Sequence, residues 1–218
     1  MARKKKVTRE LIISGFMDHV LKNGEKPKSV FMFCEAMNIH EPDFYNLFNS
    51  FEQIEREIYA TLLSKTIETL EIEEEVSQYT PKEKLLGLYF TFIENLTANR
   101  SYIQMSIKDS GPLENMKVMK EMKKVFINYI SRLEFETLDL KQENLMKIQQ
   151  KSIDEFLWVQ LLIIMKFWLN DESRGFEKTD IFIEKTVHAS FDLMNTQPVK
   201  SFLDLGKFLL KEKMNLKI

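Results

Sequence analysis

The stretch SVFMFCEAMNIHEPDFYNLFNSFEQI, Ser29 to Ile54, carries two short apolar faces separated by a polar turn. Val30, Phe33, Cys34, Met37 and Ile39 make the first face, Asn38 interrupts it, and Phe44, Leu47 and Phe48 resume it. Spacings of three and four are those of one side of an α-helix. The pattern predicts two short helices joined by a tight turn, sharing a small core with Ile12, Phe16 and Val20 of a preceding helix. Cys34 and Ala36 are slim enough for a close crossing. Asn38 can take the left-handed conformation the turn needs, although glycine would adopt it at less cost.

Outward from this stretch the same periodicity continues. Six glycines and five prolines punctuate the 218 residues, and the segments between them predict helices throughout, at about 8–23, 29–37, 41–48, 51–75, 81–98, 100–109, 113–138, 142–171, 178–195 and 199–216. The breaks have local causes. Asn23-Gly24 ends the first helix, Thr80-Pro81 starts the fifth, Gly111-Pro112 precedes the seventh, and Gln197-Pro198 precedes the last. The expectation is an all-α chain of three short helices followed by a bundle of longer ones.

Composition narrows the function classes. A hydrophobic fraction of 44% supplies a core, and 29% charged residues of mixed sign describe an ordinary solvated surface. The 31 basic and 33 acidic residues give a net charge of −2, so any attraction to nucleic acid or anionic lipid rests on local asymmetry. One cysteine, Cys34, closes no intrachain disulfide, and a reducing, cytoplasmic setting fits. The basic start, Met1 to Lys6, is followed by Arg9, Glu10 and Asp18 rather than an unbroken apolar signal region. The longest apolar run, Phe156 to Leu169, falls short of the roughly 20 residues that cross a bilayer and reads as a buried helix. His19 and His188 have no histidine at i+4 and no cysteine nearby, so no metal or other cofactor is expected. Catalytic residues are not expected either: no Ser-His-Asp spacing, glycine-rich phosphate loop or distinctive carboxylate pair occurs.

Charge divides sharply within the head. Met1–Lys28 holds eight basic and three acidic residues, a net +5, whereas Ser29–Arg56 holds one basic and five acidic residues, a net −4. Arg3 to Lys6 can hold phosphates or form a plain solvated tail.

The register over about residues 8–60 resembles the head of the TetR family of ligand-responsive transcriptional repressors. Ser29 and Val30, Phe33-Cys34, Met37-Asn38-Ile39-His40, Phe44-Tyr45, Phe48 and Ser50-Phe51-Glu52 fall without a gap where that family has a threonine-rich start, an Ile-Ala pair, Ala-Gly-Val-Ser at the turn, Phe-Tyr, a phenylalanine and Ser-Lys-Glu. The resemblance implies a helix-turn-helix head over 1–50 and a helical ligand-binding and dimerisation domain over 51–218. It implies a homodimer that binds DNA and is switched by a hydrophobic small molecule. The residues it offers to DNA are Arg3, Lys4, Lys5, Lys6, Lys28, Ser29, His40, Glu41, Asp43, Tyr45 and Asn46. Tyr45 either donates to a phosphate or packs its ring on the first helix, and His40 either contacts a base or fills the turn. Departures from the family pattern fall on this surface: Asn38 replaces glycine, His40 replaces serine, Leu47 stands where histidine is common, and Phe51 replaces lysine. Glu41 and Asp43 repel phosphate but can accept from a cytosine amino group.

Beyond the head, large flexible side chains recur on adjacent helices. Phe90, Met105, Met119, Met122 and Phe126 are the candidates to line an apolar ligand pocket, with core packing as the plain alternative. The helix around Phe156 to Trp168 is apolar almost all round and requires contact on more than one side. A second copy would supply it, which predicts a four-helix dimer interface through Trp158, Leu161, Met165, Trp168 and Phe191. Residues 199–218 carry an apolar stripe with five lysines against two acids. They suit docking on their own domain or, in the alternative of a TetR-fold protein that binds lipid, quinone or another protein and no longer reads DNA, a membrane surface.

Overall fold

The computed structural model describes residues 6–72, 78–108, 112–135 and 143–195. Among these residues there are ten α-helices and no strand. In chain order they are α1 (Arg9–Asn23), α2 (Val30–Met37), α3 (Glu41–Tyr45), α4 (Phe51–Ile72), α5 (Pro81–Ala98), α6 (Arg100–Lys108), α7 (Pro112–Val118), α8 (Lys120–Ile130), α9 (Glu143–Leu169) and α10 (Glu177–Asn195). The predicted terminal helix and the basic residues Arg3, Lys4 and Lys5 lie outside the described residues.

Two helices replace the predicted 113–138. Backbone hydrogen bonds run through the junction at Met119, which donates to Asn115 (3.0 Å) and accepts from Lys123 (2.9 Å). Neither glycine nor proline marks it. The reading helix is also shorter than 41–48. It ends at Tyr45, and the chain continues through turns in which Asn46 donates to Pro42 (3.0 Å) and Phe48 to Phe44 (2.8 Å).

The chain divides into two compact units, Met1–Glu68 with Glu94–Phe126, and Thr69–Ile93 with Ile127–Ile218. The expected division after residue 50 falls inside the first. In that unit α1 packs against α6 and α2 against α3. The second unit is organised by α9 against α10, around Leu157, Leu161, Ile164, Trp168, Ile183 and Val187, all buried. A buried polar chain pins this packing: the Tyr89 hydroxyl donates to the Leu157 carbonyl (3.1 Å) and to Gln160 Oε1 (3.2 Å), and Gln160 Nε2 donates to Ser190 (2.6 Å). Each polar group so paired avoids the cost of burial without a partner.

Asp171 governs the approach to α10. Its carboxylate accepts from the Ser173 backbone (2.8 Å) and hydroxyl (2.7 Å), and from the Thr179 backbone (2.9 Å) and hydroxyl (2.7 Å). The Ser173 hydroxyl first, with Thr179 after it, holds this carboxyl well below the usual carboxylate range.

Candidate nucleic-acid interface

Each helix of the head is fixed by its own ends. Thr8 caps α1 by accepting from the Leu11 N–H (3.2 Å), and Gly24 closes it at φ 73° with its N–H on the Val20 carbonyl (2.9 Å). Ser29 caps α2 by accepting from Met32 (3.2 Å). At the turn Asn38 takes φ 55°, ψ 45°, and Asn38 and Ile39 donate to the Glu35 and Cys34 carbonyls, both at 3.0 Å. The residue is the asparagine that the sequence places there, in the left-handed conformation the turn requires. Ser50 opens α4 by accepting from Gln53 (3.3 Å), while Gln53 accepts in return from Asn49 (2.8 Å).

Behind these helices stands an aromatic core. Phe44 is fully buried, with ring centroids 6.0 Å from Phe33, 6.3 Å from Phe48 and 5.7 Å from Phe51, and Phe16 stacks on Phe51 at 5.6 Å. Edge-on and stacked rings at such separations contribute beyond the area they bury. Phe51, at the position where the family has lysine, serves this core.

The opposite side of α3 faces outward. His40, Pro42, Tyr45 and Asn46 are exposed, Tyr45 by 50%. Tyr45 meets Phe44 edge-on at 5.4 Å, so its ring leans on the core while half of it stays in solvent. Glu41 and Asp43 are half-buried. The Asp43 carboxylate accepts from the His40 N–H (3.4 Å), turning one of the two acids toward its own helix terminus, where the helix dipole favours it. Both acids, after burial itself, push the buried Cys34 thiol up, which keeps it un-ionised and inert. Lys6, Lys28 and Ser29 are exposed. Phe31 and Met32, on the first turn of α2, are exposed by 61% and 54%.

Two head cations counted toward phosphate by charge alone are engaged elsewhere. Arg9 pairs with Glu57, and Lys26 pairs with the buried Glu55 at 2.8 Å. Sequence periodicity carried no signal for these pairs, because their partners lie 48 and 29 residues away. Nor did it reveal the buried polar group between α4 and α6, where the Tyr59 hydroxyl donates to Ser106 (3.1 Å) and burial pushes the Tyr59 phenol up.

Of the expected pocket residues, Met105, Met119, Met122 and Phe126 belong to the first unit and Phe90 to the second. Met119, Met122 and Phe126 are buried, and Met105 and Phe90 are half-buried.

The expected dimer residues lie on α9 and α10. Trp158, Leu161, Met165 and Trp168 are all buried in the single chain, and Phe191 is half-buried with its ring 5.8 Å from Phe135. The four α9 residues form its inner face in the single chain. The uncovered face of α9 carries Phe156, Val159, Ile163 and Phe167, exposed by 41%, 49%, 50% and 36%. Phe167 stacks on Phe182 of α10 at 4.3 Å, which carries this face across to the second helix. A cleft of about 680 Å³ lies there, lined by Ile163, Lys166, Phe167, Asn170, Lys178 and Phe182 among others.

Among the described residues no group of His, Cys, Asp and Glu is placed to hold a metal ion, and no helix is long and apolar enough to cross a membrane. No curated protein matches the chain. The family model described as "Tetracyclin repressor-like, C-terminal domain" matches residues 84–209, more than half of the chain and wholly outside the stretch that carries the head's resemblance. The body is thus recognised independently of the head, and the chain belongs to the tetracyclin repressor-like (TetR) family.

Proposed function

We propose that this TetR-family regulator binds DNA as a homodimer, through the exposed side of α3, and responds to a hydrophobic small molecule held in its helical body. The observation that carries the reading is the presentation of α3. A left-handed turn at Asn38 and a buried aromatic core hold a helix whose His40, Tyr45 and Asn46 point to solvent. Lys28 and the Ser29 cap at the start of α2, with Lys6 and the preceding Arg3, Lys4 and Lys5, supply phosphate contacts. Glu41 and Asp43 trade affinity for selection. Dimerisation uses the uncovered face of α9 and α10, an apolar seam of the kind that closes a four-helix bundle. Met105, Met119, Met122 and Phe126 of the first unit are the residues offered to the ligand, which shifts the head only if it binds one arrangement better than the other. The role is that of a cytoplasmic regulator rather than an enzyme.

A second reading, a TetR-fold protein that binds a protein or lipid and no longer reads DNA, is favoured by the acids of α3 together with the exposed Phe31 and Met32. Selection of genomic fragments by the purified protein at moderate salt separates the two. Recovery of a common sequence supports DNA reading, and recovery of none, with vesicle binding that depends on residues 199–218, supports the second.

A further inference from the structure

The first turns of α4 hold the head from two sides. Glu57 receives the Arg9 guanidinium as a fork: Nε donates to Oε1 at 2.7 Å and Nη2 donates to Oε2. The remaining nitrogen, Nη1, donates to the Leu47 carbonyl at 2.7 Å, and the guanidinium lies 4.2 Å over the Phe48 ring. These contacts with Glu57 raise the guanidinium further above its ordinary value. Two positions earlier on α4, the buried Glu55 accepts from Lys26 Nζ at 2.8 Å. Residues two apart on an α-helix point about 200° apart, so the two acids lie on opposite sides of α4. One reaches the loop before α2 and the other reaches α1 and the segment that leaves α3.

The Leu47 carbonyl lies where the turns leaving α3 run out of internal donors. A planar fork with five N–H donors can serve a carboxylate and a carbonyl together, which a single ammonium cannot do in the same geometry. We propose that Arg9 is a positioning residue for α3: it ties the end of the reading helix to α4 through the Leu47 carbonyl and Glu57, while Lys26 and Glu55 hold the opposite side, so that α3 moves with α4. Arg9 is therefore spent inside the protein and is not a phosphate contact, although it belongs to the basic segment of the sequence. The consequence for DNA rests on the DNA-reading function proposed above, whereas the tie itself does not.

Full-length wild type, Arg9→Gln, Arg9→Lys and Glu57→Gln are compared by amide hydrogen exchange in the absence of DNA. The Asn46, Leu47 and Phe48 amides, which donate within the turns after α3, lose about tenfold or more in protection in Arg9→Gln, relative to amides of α9. Glu57→Gln, which keeps the side chain's shape, moves them in the same direction, and Arg9→Lys retains part of the effect. Unchanged protection of these three amides in both Arg9→Gln and Glu57→Gln overturns the proposal. With recovered genomic fragments, Arg9→Gln binds more weakly at an unchanged slope of log affinity against log salt. A slope flatter by about 0.9 per protomer marks a lost phosphate contact and also overturns it. If the wild type retains no fragment, the DNA-reading function fails, and hydrogen exchange alone decides the positioning role.

Discussion

Phe44 and Tyr45 are neighbours in sequence with opposite surroundings, and substituting each in turn separates the structural role of α3 from its reading role. Phe44 is fully buried among Phe33, Phe48 and Phe51, with centroids about 6 Å apart. Truncation to alanine removes a ring that nothing else can fill, which costs about 3–5 kcal/mol in a packed core. Against a total stability of about 5–15 kcal/mol this is a large fraction. With a urea dependence of about 2 kcal/mol per molar, the unfolding midpoint should fall by about 2 M. Tyr45→Phe keeps the edge-on contact with Phe44 and removes only a hydroxyl from a side chain 50% exposed, so stability should stay within about 0.5 kcal/mol. If that hydroxyl donates to a phosphate, affinity for recovered DNA should fall about fivefold, the value of one hydrogen bond of about 1 kcal/mol. Urea titrations at fixed protomer concentration, followed by circular dichroism, with DNA binding measured in parallel, provide both numbers. A Phe44→Ala midpoint within about 0.3 M of wild type, or a Tyr45→Phe variant destabilised as much as Phe44→Ala, would refute the division of labour.

Ile163→Glu and Val159→Glu, on the uncovered face of α9, should yield folded monomers in sedimentation, whereas Leu161→Glu should strand a charge inside the chain and lose the fold; a monomeric wild type removes the dimer face altogether. Asn38→Gly should raise thermal stability by up to about 1 kcal/mol, because glycine occupies φ 55° without strain, and Asn38→Ala should lower it by a similar amount; equal melting temperatures for the two would contradict the role of the turn. The depressed Asp171 carboxyl contributes stability that is fully present above the unfolded carboxylate range, near pH ~4, and is lost as pH falls toward its lower folded value. The melting-temperature gap between wild type and Asp171→Asn should therefore narrow from pH 5 to pH 3, and a constant gap would exclude the charged cap as its cause.

The head was legible because its signals are local. Thr8, Ser29 and Ser50 accept from amides three residues on, Gly24 and Asn38 close their helices in the left-handed region, and Phe33, Phe44 and Phe48 repeat at helical spacing. Each of these is decided within one or two turns of chain. Which stripe of α9 turns inward is not legible in the sequence, for a physical reason. A hydrophobic stripe points inward only by contrast with a polar one, and α9 offers Phe156, Val159, Ile163 and Phe167 on one side and Leu157, Leu161, Ile164 and Trp168 on the other, both at spacings of three and four. Which stripe meets the chain's own core depends on α10 and on the buried Tyr89–Gln160–Ser190 chain, whose members are far apart in sequence. Gln160 was the available hint, since a polar residue within the inner arc of an apolar helix asks for a buried partner.

Charge was the least legible property, because counting along a chain cannot tell a cation facing solvent from one already engaged. The net +5 of Met1–Lys28 includes Arg9 and Lys26, both held by acids of α4. It also includes Lys22, which lies 3.8 Å from Asp18 one turn away. Among the described residues of the first 28, Lys6, Lys28 and the exposed Lys22 remain for phosphate, joined by whatever Arg3, Lys4 and Lys5 supply. On the acidic side of the count Glu55 holds Lys26 and Asp43 accepts from its own helix terminus, whereas Glu57, the partner of Arg9, lies just beyond the counted stretch. The opposed charges of the basic start and the acidic reading stretch are therefore paired within the protein only in part, through Lys26 and Glu55. What those pairs leave at the surface is a reading helix that still carries Glu41 and Asp43, beside a few cations. Such a head gains less from counterion release than its sequence suggests and depends more on how firmly α3 is held.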